Sequence, residues 1–407
     1  MPSYDILIVG AGPAGCAAAY DLARAGKRVL LLDRRTFPRP KACACGLTRK
    51  TLQVLRYSVD PVIERVCREI VLQQSPCATA GPDSRAACRT EARVKTRNTI
   101  CAMAVRERFD DFCLKQTLAS GRNNGSVELR KIETILALRE LPTHIEIDIR
   151  TASGSETLNT PILIGADGSN GQIRRLSSHG SQRPPPAQDG FGLEATVPYT
   201  DLPAHLPAGD APHDLIFDFA AIPGGYGWLF PKGDHINIGV GTFAPSKRTS
   251  AVQLKSVTRA LLLDYAHHKL GVTPLAHISG QHLGMGGHTY IPHGRVLLAG
   301  DAAGLVDPLT GEGIHSAIVS GQAAAAAILS CTQGERDSTV VAAAYANYLA
   351  PLQQTLTFSH RAACAFYAEP ERGFKAMRMP LLRSLILKTY ADGIPHTKLL
   401  TALAKLL

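Results

Sequence analysis

Residues 4–33 constrain the fold of this chain more than any other stretch. They read YDILIVGAGPAGCAAAYDLARAGKRVLLLD. An apolar run from Ile6 to Val9 leads into Gly10, Gly12 and Gly15, then an Ala-rich segment closed by Gly26, then a second apolar run ending on Asp33. This order predicts a strand, a helix and a parallel strand. Gly10 permits the tight strand-to-helix turn, Gly12 lets a pyrophosphate approach the backbone, and Gly15 lets the helix lie close on the sheet. The helix start, at Pro13 and Ala14, offers unpaired N–H groups and a positive dipole end to phosphate oxygens. Asp33 follows Gly10 by 33 − 10 = 23 residues, near the ~20 expected of the carboxylate that holds an adenosine ribose. A Gly-rich turn alone is a weak signal. Strand, helix, glycines and acid in register point to a bound dinucleotide.

The chain has 407 residues, 45% apolar and 19% charged, enough for two or three domains with a sizeable core. The opening MPSYD carries no basic region and Asp5 interrupts the apolar start, so no secretory leader is expected. No uncharged apolar run is long enough to span a bilayer. Ten scattered cysteines on a dinucleotide fold predict reduced thiols and a cytoplasmic setting. The net charge of +10 is uneven: from Glu371 onward seven Lys/Arg face two acids, a net +5. This basic, Leu-rich tail from Phe374 to Leu407 is read in two ways: as a lid or peripheral membrane contact, or as a helical cap on the substrate domain. With 6% aromatics and no recognisable module, nucleic acid is not an expected partner.

Further along, FPRPKACACGLT from Phe37 to Thr48 is an ordered basic loop, and with Arg34 it is expected near the nucleotide. Its Cys43 and Cys45 are read as a thiol beside a cofactor, as a redox pair, or as two small buried residues. A helix over Val105–Ser120 is expected to gather Phe109, Phe112 and Leu118 on one side. Arg106 at its start suits a phosphate, or a surface ion pair with Asp110. GADGSNGQIRR from Gly165 to Arg175 is a second strand–turn–helix with small residues. Two Pro-rich stretches, 183–188 and 198–213, are expected as a hinge and a loop. Between and after them, a β-rich region from about 188 to 285 carries Tyr226, Trp228 and Phe230 at spacings of two, hence on one strand face. Six histidines from His267 to His293 lack carboxylates or thiols in ligand spacing, so no metal is expected. RVLLAGDAAG, from Arg295, is a buried strand ending on Gly300 and Asp301. LVDPLTGEGIHSAIVSGQAAAAAIL then turns through Gly311 into a small-residue helix near Gly313 and Ile314. Its start is a second anion-seeking end.

GAGPAG with Asp33, GADGS at 165–169 and GDAAG at 300–304 resemble the FAD-binding set of the aromatic hydroxylase-like flavoproteins. FPRPKACACGLT, YGWLFPKGDHINIGVG and DPLTGEGIHSAIVSGQAAA more narrowly resemble the geranylgeranyl reductase family, over most of residues 1–330. The resemblance implies an α/β fold. A discontinuous Rossmann-like FAD-binding domain would comprise 1–72, 100–180 and 286–345, with a β-rich substrate domain of 73–99 and 181–285 and a helical C-terminal region of 346–407. It implies that Gly10, Gly12, Gly15 and Asp33, with Pro13, Ala14 and Arg34, hold the ADP half and that Arg106 contacts the pyrophosphate. Asp301 would bind the ribityl chain or pyrophosphate, the backbone from Gly311 to Ile314 would face the flavin, and Asp167 and Gly300 would complete the set. The family loop carries one cysteine, here Cys43. Ala44 replaces a glycine, Cys45 is added, and Gly171 stands where serine is common.

The implied reaction is reduction of C=C bonds in an isoprenoid: a geranylgeranyl lipid, menaquinone or a pigment side chain. The electrons would come from NADPH or ferredoxin. Tyr226, Trp228 and Phe230 would line an apolar tunnel. Cys43 and Tyr226 are the implied proton donors. The competing readings are a monooxygenase on the same scaffold, acting on a hydrophobic or aromatic molecule, and a flavoprotein that binds lipid without turnover.

Overall fold

Four apolar residues, Ile6–Val9, form a strand buried on both faces, as parallel pairing on both sides requires. In the computed structural model this strand is the centre of a five-stranded parallel sheet. The order is Val296–Leu298, Leu163–Gly165, Ile6–Val9, Arg28–Asp33 and Ser126–Lys131. The structure describes residues 4–74, 90–177, 188–203, 214–219, 221–222, 224–242, 257–274, 277–331 and 338–393. All but residue 188 of the expected 183–188 hinge, most of the 198–213 loop and the tail beyond 393 lie outside them.

Helices Pro13–Arg24 and Ile314–Ser330 pack on this sheet through small residues. A Cβ at Gly321 would lie 2.1 Å from the Ala14 carbonyl oxygen, so only glycine lets the two helices approach this closely. A Cβ at Gly15 would lie 1.8 Å from the Gly10 oxygen, which holds the first helix against the turn that opens it. A three-stranded antiparallel sheet, Thr134–Glu140, Ile145–Thr151 and Gly154–Thr160, adds Ile135, Leu138, Ile145, Ile147 and Ile149 to the same core.

Helix Arg106–Leu118 corrects one expectation. Phe109 is fully buried, but Leu118 is 39% exposed. Nine residues at 100° each place it on the opposite side of the helix from Phe109. The inward face is instead Arg106, Phe109, Asp110, Cys113, Leu114 and Thr117.

The β-rich region forms a seven-stranded sheet with order Ser279–Met285, Gln188–Pro198, His235–Thr242, Gly225–Pro231, Leu215–Asp218, Glu69–Gln74 and Thr90–Lys95. One face is covered by helix Arg259–Leu270, whose Leu262 and Tyr265 pack with Leu229, Ile236 and Ile238. The other face carries Phe217, Tyr226, Trp228 and Phe230. Trp228 lies over the neighbouring strand at Gly239, where a Cβ would come within 2.1 Å of the indole.

The C-terminal segment forms helices Ser338–Ala368, Pro370–Met377 and Pro380–Asp392. Phe374, Met377 and Ala391 are buried, Arg49 pairs with Asp392, and the Tyr390 ring meets the edge of Phe217 with centroids 6.1 Å apart. These helices close the aromatic end of the sheet. No helix among the described residues is long and apolar enough to cross a membrane.

Candidate active site

The two glycine-bearing helix starts and the aromatic sheet face border one cavity of about 1000 Å³. Gly10, Gly12, Pro13, Ala14, Asp33, Arg34, Arg106, Asp167, Gly300, Asp301, Gly311, Gly313 and Ile314 line it together with Cys43, Tyr226, Trp228 and Phe230. Gly15 does not; its place is the helix–turn contact described above. Every other site residue read from the sequence reaches the same space, although they span most of the chain.

At one end lies the cradle formed by the first βαβ unit. Gly10 has φ 104, and a Cβ there would strike the Ala166 oxygen at 2.3 Å. Gly12 is different: a Cβ there would meet only Arg39 Nη2, at 3.6 Å. Its surface faces the cavity. Asp33 Oδ2 accepts from the Ala11 amide and Oδ1 from the Arg35 amide, both at 2.8 Å, so the carboxylate also braces the glycine turn. Asp167 Oδ2 accepts from the Ile173 amide at 3.0 Å, while its buried Oδ1 has no hydrogen-bond partner. Burial pushes this carboxyl upward.

Arg106 does pair with Asp110, but in the interior rather than at the surface. It is 7% exposed, and its Nε donates to Asp110 Oδ1 at 2.7 Å; Arg39 reaches Asp110 Oδ2 at 3.1 Å. One buried carboxylate thus holds two guanidinium groups, leaving a net positive charge beside the glycine turn. Lys41 lines the same wall, and burial followed by the Arg106 charge lowers its ammonium.

The second helix start is held by a buried acid. Glu312, between Gly311 and Gly313, accepts from Thr48 at 2.8 Å and Thr51 at 3.1 Å and pairs with Lys50 at 2.6 Å. Gly311 has φ 70, which turns the chain into the helix at Ile314.

Between cradle and aromatic wall lies a polar cluster the sequence reading missed. Glu194, 9% exposed, accepts from the Cys43 amide at 2.8 Å and from the Asn237 side chain. Asn237 Oδ1 accepts from Trp228 Nε1 at 2.7 Å. Burial, then the nearby Cys43 sulfur, pushes the Glu194 carboxyl up to about 7. Buried Lys232 donates to the Ala44 and Ala104 carbonyls, the latter at 2.8 Å, and burial lowers its ammonium. The Tyr226 hydroxyl donates to the Thr310 carbonyl, and burial raises it. The signal for Glu194 was available: in FGLEATV it is the lone charge in an apolar strand and shares a face with Gly192 and Thr196, both of which line the cavity.

The site fits FAD by its own chemistry. An open glycine surface, a helix N-terminus, buried guanidinium groups and an orphaned carboxylate oxygen are what a pyrophosphate with attached hydroxyls would meet. The fold and site thus define a dinucleotide-binding flavoprotein. A family described as FAD binding domain matches residues 3–359, and the chain belongs to it. It is an FAD-dependent oxidoreductase with geranylgeranyl reductase-like relatives. It is similar to an uncharacterised protein of Methanosarcina barkeri (31% identical, 81% of this chain and 76% of that one). It is also similar to digeranylgeranylglycerophospholipid reductase 3 of Methanosphaera stadtmanae (28%, covering 85% and 82%) and menaquinone reductase of Mycobacterium tuberculosis (29%, covering 79% and 76%). Among solved structures it shares its fold with a geranylgeranyl bacteriochlorophyll reductase-like protein from Thermoplasma acidophilum (TM-score 0.68, 20% identical, covering 96% and 91%). It shares it equally with a flavin-dependent brominase (TM-score 0.69, 17% identical, covering 95% and 93%).

Proposed function

We propose that the protein reduces C=C bonds of an isoprenoid, of the geranylgeranyl lipid or menaquinone type. One observation carries this reading. The dinucleotide cradle opens directly onto a wall of buried Phe217, Tyr226, Trp228 and Phe230, edged by half-buried Tyr390, with a titratable cluster between them. The names of the relatives support the same substrate class.

When bound, reduced FAD supplies the hydride. The chain supplies the rest. Gly10, Gly12, Pro13 and Ala14 present backbone to the pyrophosphate, and Arg39 and Arg106 balance its charge. Asp33 and Arg34 take the adenosine side, Asp167, Gly300 and Asp301 the hydroxyls of the linking chain, and Gly311, Gly313 and Ile314 the edge of the ring at a helix N-terminus. The aromatic wall binds the prenyl chain and keeps water out. Glu194, which holds its proton up to about pH 7 and accepts from the Cys43 amide, delivers the proton to the neighbouring carbon; the low Cys43 thiol faces the same space but is not assigned this step. Tyr226, its hydroxyl engaged by Thr310, shapes the wall. The basic C-terminal region is assigned first to closing this wall. Peripheral contact with an anionic membrane, from which a lipid substrate would enter, is read by co-sedimentation with vesicles.

The test is anaerobic: reduce the yellow protein with dithionite, add a geranylgeranyl lipid or menaquinone, and follow flavin reoxidation with mass analysis of the lipid. Reoxidation with a gain of two hydrogens per double bond is expected. Reoxidation only on admitting oxygen, with oxygen added to a substrate, overturns the reductase in favour of a monooxygenase. The same cuvette shows whether NADPH or ferredoxin bleaches the flavin.

A further inference from the structure

The added cysteine of the 37–48 loop has no role in this reductase reading, yet the loop is built around it. Cys45 has φ 46, an uncommon conformation for a residue with a side chain, and it curls the chain back so that its amide donates to Cys43 Sγ at 3.3 Å. The loop is pinned on three sides. Glu194 accepts from the Cys43 amide, Lys232 donates to the Ala44 carbonyl, and the Ala104 amide donates to the Cys45 carbonyl at 3.1 Å. Cys43 is half-buried, and Cys45 is buried behind it; both line the cavity.

We propose that Cys43 and Cys45 are a hydroperoxide-responsive dithiol, with Cys43 the attacking sulfur and Cys45 the resolving one, which close to a disulfide across Ala44.

The chemistry of the pair divides in that order. Interaction with Cys45, whose amide donates to its sulfur, and the Arg106 charge hold the Cys43 thiol well below the usual range, while interaction with Cys43 and burial hold Cys45 well above it. A low thiol at a cavity with a second thiol two residues along a loop that curls back onto it is the arrangement that favours sulfenic acid formation followed by capture. The Cys43 thiolate attacks one oxygen of hydrogen peroxide, the O–O bond breaks, and the departing hydroxide takes a proton to leave as water. The Cys45 sulfur then attacks the Cys43 sulfenic sulfur. The S–S bond forms, the S–O bond breaks, and the second hydroxide leaves as water with the Cys45 proton. Two thiols and one peroxide give one disulfide and two waters. The sulfurs lose two electrons and the peroxide gains them, and an external dithiol reverses the change by exchange. This site is independent of which substrate the reductase takes.

The test uses the purified holoprotein under argon. It receives one equivalent of hydrogen peroxide, is alkylated, and is digested with trypsin, which releases residues 42–49, ACACGLTR, with both sulfurs in one peptide. The expected product is this peptide unalkylated and two hydrogens lighter, restored by dithiothreitol. Exposed Cys364 serves as the internal control and should react slower by about tenfold or more. Cys45→Ser should stop at a Cys43 sulfenic acid trapped by dimedone, and Cys43→Ser should leave Cys45 reduced. Flavin absorbance and thermal midpoint report whether each variant is folded. Oxidation of wild-type Cys43 to sulfinic acid with Cys45 still alkylated, or reaction of Cys364 first, overturns the proposal.

Discussion

A buried carboxyl is costly to ionise unless a cation pairs with it, and Glu194, which no described residue salt-bridges, shows what that cost does. Its folded value of about 7 stands above the unfolded value near 4.5. The folded state therefore holds the proton more tightly, and stability falls as pH rises from about 4.5 through about 7. The full difference is about 3 kcal/mol. Glu194→Gln keeps an acceptor for the Cys43 amide and removes the ionisation. The variant is expected to match the wild type in thermal midpoint at pH 4 and to exceed it increasingly up to pH 8. An unchanged difference across that range would show that Glu194 titrates normally. The glycines make a second residue-scale contrast. Gly12→Ala puts its methyl into the cavity at ordinary distance from Arg39, so apoprotein stability should hold within about 0.5 kcal/mol while FAD retention on a desalting column is lost. Gly15→Ala drives a methyl into the Gly10 carbonyl and should lower the apoprotein's stability itself, by about 1–3 kcal/mol.

At the scale of elements, the decisive contact is the crossing of Pro13–Arg24 with Ile314–Ser330. It brings two helix starts, some three hundred residues apart in sequence, to one cavity wall. Gly321 sets that distance, so Gly321→Val should separate the helices at a cost of about 1–3 kcal/mol. It should weaken FAD binding as well, although residue 321 does not line the cavity. Urea unfolding of the apoprotein and a flavin titration measure the two effects. Loss of stability with unchanged flavin affinity would mean that the two helix starts bind independently. Both helices were legible in the sequence, because each has a glycine turn, an Ala-rich body and an apolar strand before it. Their contact was not, since it depends on which small-residue faces meet.

For the whole molecule, the question is what the C-terminal helices do. Phe374 is 1% exposed and Tyr390 lines the cavity, which places the described part of the tail in the packed body of the protein. Phe374→Ala should therefore cost about 3–5 kcal/mol of stability, read by denaturant unfolding. A neutral result would mark the tail as a detachable arm.

The sequence by itself determined the cofactor cradle, the parallel sheet and the one-sided aromatic strand. Each of these rests on local rules: a turn that needs glycine, a period of two along a strand, a helix start that seeks anions. Only the tertiary structure decided that Arg106 shares Asp110 with Arg39 and that Glu194 and Lys232 are buried behind the cysteine loop. The outward place of Leu118 follows from helical periodicity along the chain, whereas the tertiary structure alone showed that Tyr390 closes the aromatic end. Those facts depend on side chains from distant segments meeting where water is excluded, and the energy of a buried charge is set by the partners that arrive there rather than by its neighbours in the chain.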